Sequence, residues 1–231
     1  MPRRPRETTG GIVYHALNRA VGRMKLFEKE EDYAAFERVL EETYEWMEMR
    51  LLGYWVMPNH WHMLIWPRED GELSEVMRWL TVTHTQRRHA HYHTSGTGPL
   101  YQGRFKSFPV QSDEHFITVA RYVERNALRA NLVERAQDWR WSSIWRRCQR
   151  DKSLSSILSD WPIVRPSDWT RRVNRALTSN ELEAVRRSVR RGRPFGDETW
   201  TEFTARQLGL ESTLRPRGRP RKHQPDQHTV N

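Results

Sequence analysis

The chain has 231 residues, 36% of them hydrophobic, and a formal net charge of +10 from 39 Lys+Arg against 29 Asp+Glu. That length supports one domain with a proper core plus a smaller appendage and leaves no room for two large domains. The single cysteine, Cys148, rules out an internal disulfide framework and any Cys-rich zinc module.

The excess positive charge points to a polyanionic partner, and eleven tryptophans supply faces on which bases can stack, so nucleic acid is the expected partner. Charge alone is equally explained by solubility or a membrane surface, but its distribution is sharper. The stretch from Arg171 to Lys222 holds 14 basic and 6 acidic residues, most of the excess. A short basic arm, Met1-Pro2-Arg3-Arg4-Pro5-Arg6, stands where a leader or membrane anchor would place a long apolar run. The expectation is a cytoplasmic, nucleoid-associated protein with no membrane span.

In chain order, residues 11–18 alternate as a first strand, and 30–50 form an amphipathic helix with Tyr33, Phe36, Val39, Leu40, Tyr44 and Met47 at helical spacing. Leu51 to Met57 is an apolar strand, Pro58-Asn59 a turn, and 60–66 a second strand of a hairpin. A further helix is expected over 73–93, ended by the Gly/Ser/Thr-rich 94–98, and a fourth strand over 104–110. The order β-α-β-β-α-β is that of a ferredoxin-like α+β fold. One continuous helix over 113–130 and another over 139–148 follow. After Asp151 the pattern loosens, placing a soft boundary near residue 165: 1–165 as the catalytic domain, 166–231 as a basic, mostly helical DNA-binding extension with a partly disordered tail.

His60-Trp61-His62 lies at the centre of the hairpin. Residues two apart on a strand share a face, so two imidazoles there can converge on one divalent ion. An isolated His-x-His is as readily a pair of hydrogen-bonded sheet histidines, and context has to decide. The helix around Arg121-Tyr122-Val123-Glu124-Arg125-Asn126 supplies it: Tyr122 and Asn126 are four apart, hence neighbours on one helical face, offering a hydroxyl and an amide oxygen to one place. A tyrosine beside a metal-bound phosphate is a plausible nucleophile.

With these residues in view, the chain resembles the HUH single-tyrosine transposases, and within them the REP-associated branch. The resemblance is carried by Tyr14-His15 with Asn18-Arg19, Met57-Pro58-Asn59-His60-Trp61-His62, Gln102-Gly103-Arg104-Phe105-Lys106, the tyrosine helix through Val133, and Trp139-Arg140-Trp141-Ser142-Ser143, in order over residues 11–145. It implies a ferredoxin-like domain that cuts and rejoins single-stranded DNA through a 5′-phosphotyrosine, using Mg²⁺ or Mn²⁺. By the same resemblance His60, His62 and Asn126 are metal ligands, Tyr122 is the nucleophile, the substrate is a REP-type palindromic hairpin, and the REP-associated branch favours a monomer over a dimer. The family often has Asn-Pro where this chain has Asn126-Ala127. The alternative is a DNA-binding protein whose catalysis has lapsed.

Arg125 and Arg129, three and seven residues after Tyr122, and Arg104 and Lys106, two apart on the fourth strand, are candidate grips for the DNA backbone. Trp61, Trp66 and Trp79 are candidates for base stacking. Tyr101 and Tyr92 compete with Tyr122 as nucleophiles but lack an amide four residues on. His84, His89, His91 and His93 scatter around a helix end, which argues against a second metal site. Histidine-triad nucleotide hydrolases also carry His-x-His, but position 64 here is Leu64. In the basic segment, Arg191-Gly192-Arg193-Pro194 and Arg217-Gly218-Arg219-Pro220 resemble AT-hooks, with Arg191, Arg193, Arg217 and Arg219 as DNA contacts; a flexible tail gripping phosphates fits equally. Between the copies, 199–214 resembles a helix-turn-helix faintly, cut short by Pro216.

Overall fold

The computed structural model describes residues 8–149 and 156–215. Four strands, β1 (Val13–Arg19), β2 (Leu51–Met57), β3 (His60–Ile65) and β4 (Lys106–Val110), form one antiparallel sheet in the order β2-β3-β1-β4. With helices α1 (Glu30–Met47) and α2 (Glu72–His91) in the two crossovers, this is the expected ferredoxin-like arrangement. Eight helices follow the chain among the described residues, the other six being α3 (Glu114–Glu124), α4 (Asn126–Arg129), α5 (Ser143–Cys148), α6 (Trp169–Asn174), α7 (Ser179–Arg191) and α8 (Glu198–Gln207).

Alternation along the strands divides the apolar residues between two cores. Tyr14, Ala16, Tyr54, Val56, Trp61, Met63 and Ile65 face α1 and α2. Val13, Trp55, Leu64, Phe108 and Val110 face the other way, onto Phe116, Val119, Ala120 and Val123 of α3. The side of the sheet opposite α1 and α2 is therefore covered by the tyrosine helix. Helix α1 begins on three acids, Glu30, Glu31 and Asp32, which suit the positive end of the helix dipole. Asp32 also accepts hydrogen bonds from the Glu28 and Lys29 amides.

Two helices depart from expectation. The helix expected over 113–130 breaks at Arg125, whose φ of −92° and ψ of 3° separate α3 from α4. The helix expected from Trp139 begins only at Ser143, because residues 139–142 are tied to β2: the Val56 amide donates to Trp141 O, Trp139 Nε1 donates to Val56 O, and Ser142 bridges to Trp55. Beyond residue 165, α6 and α7 bury Trp169, Val173 and Val185 in the core with α3, so this segment packs on α3 and, through α7, on β4. Phe195 then lies alongside Val110 at the β4 edge, its amide donating to Pro109 O. The second half of the expected helix-turn-helix is a single 3₁₀ turn, Glu211–Thr213.

Candidate active site

His60 and His62 share the α3 face of β3, and their rings lie 5.0 Å apart between centroids at 82°. The Nδ1–H of His60 donates to Asn59 Oδ1 at 2.6 Å, which leaves Nε2 with its lone pair outward. His62 is buried, and its Nδ1 shares a hydrogen with Nε2 of His15 at 2.9 Å. Burial pushes His60 down to about 4, helped by the charges of Arg19 and Arg129, and holds His62 well below the usual imidazole range. Both rings are therefore neutral at pH 7, the form that ligates a metal.

Asp113 caps α3 by accepting from the His115 amide, and that helix carries Tyr122 to the same place. The Tyr122 ring meets His62 edge to face, centroids 6.1 Å apart at 88°. Arg129 lies over the Tyr122 ring, 4.6 Å from its centroid, and donates to Asn126 Oδ1 at 2.8 Å. That bond fixes the amide's orientation, and Asn126 Nδ2 is buried with no hydrogen-bond partner among the described residues. A buried, unpaired amide N–H is costly unless something outside the chain accepts from it, as a phosphate oxygen would.

The donor set fits a divalent ion: two neutral imidazoles with ring nitrogens unclaimed by protein, and an amide oxygen that accepts from Arg129 and keeps a second lone pair. Among the described residues no group of three or more His, Cys, Asp or Glu is placed to hold a metal ion, and the candidate donors here are two histidines and an amide.

A buried network supports the tyrosine helix from behind. Glu124, two residues past Tyr122, accepts from Ser143 Oγ at 2.5 Å and Trp169 Nε1 at 2.6 Å, and burial raises its carboxyl above the usual range. Gly53 of β2 leaves room for it: a Cβ there would stand 3.2 Å from Ser143 Oγ. Arg125 donates to the main-chain carbonyls of Val173 and Asn174, so its charge is committed to α6.

Arg104 and Lys106 are exposed beside the site. With Asn18, Arg19 and Arg190 they line a groove of about 490 Å³ that starts at Arg19, the strand partner of His60, and runs to α7. Arg191 instead donates to the carbonyls of Thr213, Ser212 and Arg215. Gly192, at φ 72°, closes α7 as a left-handed cap, so the first Arg-Gly-Arg-Pro copy is a helix end, with Arg193 half-buried after it, and not the extended arm of an AT-hook. Arg217 and Arg219 lie outside the described residues.

Of the stacking candidates, Trp61 is fully buried and donates to Tyr101 Oη, which removes it from any base. Trp66 carries Arg50 on its face and Trp79 packs on Trp46. Tyr101 is sealed between Trp61 and His84, and Tyr92 donates to Asp32. His84 is core, while His91 and His93 are exposed, so the second histidine cluster does not converge.

A family model described as IS200-like transposase matches residues 8–126, more than half the chain. The chain belongs to the IS200-like transposase family. The matched stretch contains His60, His62 and Tyr122 and ends on Asn126. Among solved structures, this IS200-like transposase shares its fold with a REP-associated tyrosine transposase bound to a REP hairpin, at 18% identity and a TM-score of 0.52, over 78% of this chain and 99% of that one. A transposase structure from Deinococcus radiodurans R1 aligns at 17% identity and a TM-score of 0.37, over 53% of this chain and 96% of that one. No curated protein matches the chain.

His15, Glu124 and Arg19 were not singled out as site residues from the sequence. The available signal was a polar residue inside an apolar run: His15 between Tyr14 and Ala16, Glu124 beside Val123.

Proposed function

We propose that this protein cleaves and rejoins single-stranded DNA through Tyr122, beside the stem of a REP-type palindromic hairpin. The observation that carries the reading is the convergence of Tyr122 with His60, His62 and Asn126 from two distant segments onto one face of the sheet. The relative of like fold was solved with a REP hairpin, which supports the same substrate class here.

The Tyr122 oxygen attacks the scissile phosphorus in line. A P–O bond to tyrosine forms as the P–O3′ bond breaks, the phenolic proton leaves to solvent, and the departing 3′ oxygen is protonated. Strand transfer is the reverse reaction with a different 3′-hydroxyl, and the phosphotyrosine conserves the bond energy, so no nucleotide cofactor is required. A divalent ion such as Mg²⁺ or Mn²⁺, held by His60, His62 and Asn126, would neutralise charge developing on the phosphate oxygens. Arg129 keeps Asn126 and Tyr122 aligned with each other, and the free Asn126 Nδ2 donates to a phosphate oxygen.

Arg104, Lys106 and Arg19 lead the single strand away from the site, and the basic segment from residue 166, including Arg193, Arg217 and Arg219, grips the stem. Tyr122 reaches His60, His62 and Asn126 within its own fold, so the site needs no residue from a second copy and the working unit is a monomer; a chromosomal hairpin as substrate would put the protein at the nucleoid in the cytoplasm.

The test uses an end-labelled hairpin with single-stranded flanks and a scrambled-stem control, each with Mn²⁺ or Mg²⁺. Ion-dependent cutting in the flank of the hairpin alone supports the proposal. Tight hairpin binding with no cut under either ion would favour lapsed catalysis.

A further inference from the structure

We propose that His15 is a positioning residue of the metal centre: its Nε2 accepts from His62 Nδ1–H and so holds His62 in the tautomer whose Nε2 is free to ligate. The inference rests on the metal-site reading above.

His15 is fully buried on β1, two residues before His62's own cross-strand partner, Leu17, and hence on the same face of the sheet. The two imidazoles stack with centroids 5.0 Å apart at 29°, and Phe108 closes against His15 at 4.8 Å on its neighbouring strand. The packing leaves neither ring free to swing away. One hydrogen lies between His15 Nε2 and His62 Nδ1, 2.9 Å apart, and neither ring has an Asp or Glu among its hydrogen-bond partners.

Two arrangements of that hydrogen are available, and they differ in what they do to the site. If His15 donates, His62 Nδ1 is the acceptor, its remaining hydrogen sits on Nε2, and the outward nitrogen cannot bind a cation. If His62 donates, its Nε2 carries a lone pair and the residual N–H of His15 falls on Nδ1. That atom is buried with no hydrogen-bond partner among the described residues. The second arrangement costs an unpaired buried N–H at His15 and is repaid only when an ion occupies His62 Nε2, so ion binding and the His15–His62 tautomer are coupled. Histidine suits this position because it is an acceptor on one edge while its flat ring still stacks in an apolar layer. His60 obtains the same service from Asn59 Oδ1 in the turn.

The experiment is long-range ¹H–¹⁵N NMR of the histidine rings, with Mn²⁺ affinity measured by EPR, on the full chain as wild type, His15→Phe, His15→Gln and His62→Ala. Zn²⁺ serves as the diamagnetic ion for the NMR. Thermal melts identify folded variants. The expected result is a His62 ring protonated at Nδ1 in the ion-loaded wild type, Mn²⁺ binding weakened about 10- to 100-fold in His15→Phe, and recovery in His15→Gln, whose amide oxygen restores an acceptor. Wild-type Mn²⁺ affinity in a folded His15→Phe, with affinity lost in His62→Ala, would overturn the role of His15 and leave the metal site standing. Equal Mn²⁺ binding in wild type and His62→Ala would remove the metal site and the proposal together. Should His15→Phe fail to fold, protonation of His62 at Nε2 in the loaded wild type overturns the proposal by itself.

Discussion

His62 and Tyr122, sixty residues apart in sequence, meet edge to face with ring centroids 6.1 Å apart. The contact exists because β3 and α3 are packed through Leu64, Val119 and Val123, so the same core that stabilises the fold sets the distance between the His62 imidazole and the Tyr122 ring. Changes in that layer are felt at the site.

Arg129 touches both Tyr122 and Asn126 and is the first residue to vary. Arg129→Ala is expected to slow single-turnover cleavage about 10- to 1000-fold, the loss typical of a preorganising donor, while hairpin affinity changes little. Arg129→Lys should recover only a small part, since an ammonium cannot both stack on the ring and reach the amide in the same geometry. Full activity in Arg129→Lys would show that charge alone matters.

Charge committed inside the fold should behave differently from charge facing the groove. Arg104→Ala and Lys106→Ala are expected each to reduce the slope of log affinity against log salt by about 0.7, the value for one lost phosphate contact on a single strand. Arg125→Ala should leave that slope unchanged and lower the urea midpoint instead, because its guanidinium holds the end of α6. A changed slope in Arg125→Ala would return that side chain to the DNA.

Glu124 joins α3 to Ser143 and Trp169. Glu124→Ala leaves Trp169 Nε1 buried without an acceptor and Ser143 Oγ with only the Tyr54 carbonyl, and is expected to cost about 1–3 kcal/mol in urea unfolding. Glu124→Gln keeps the shape and one acceptor oxygen and should cost less. Equal stability of wild type and Glu124→Ala would mean that the network carries no net energy.

Acid sensitivity follows from buried histidines. His84 accepts from Tyr101 Oη and is pushed down to about 3 by burial, against 6.5 for a free imidazole. Between these values the unfolded chain binds more protons than the folded one. The stability His84 contributes is thus full above pH 6.5 and is lost as pH falls toward 3, by about 1.4 kcal/mol per pH unit well below 6.5. Urea midpoints at pH 7.5, 6.0 and 5.0 should fall less steeply in His84→Gln than in wild type. Parallel slopes would contradict a neutral His84.

Much of this was legible in the chain because the relevant signals are local. Leu51–Met57 is a strand in the sequence and in the structure with the same ends, since a seven-residue apolar run bounded by Pro58-Asn59 has few other uses. His60 and His62 share a face by strand period alone. The break at Arg125 was hidden because helical periodicity continues through it, from Val123 to Ala127. Residues 139–142 lost their helix to long-range pairing with β2, which no local pattern encodes. Helix α7 did announce itself through the Thr178/Glu181 capping box, a signal that the looser composition around it obscured. The His15 contact needed the β1–β3 register, which only the folded sheet supplies.

The most direct measurement is the identity of the residue that becomes bonded to DNA. Purified protein is incubated with an end-labelled REP-type hairpin and Mn²⁺, denatured, digested and mapped by mass spectrometry, with Tyr122→Phe in parallel. The expected result is a nucleotide 5′-phosphate on Tyr122 and no cut or adduct in Tyr122→Phe. Cleavage that persists in Tyr122→Phe, or an adduct on Tyr92 or Tyr101, would contradict the assignment of the nucleophile.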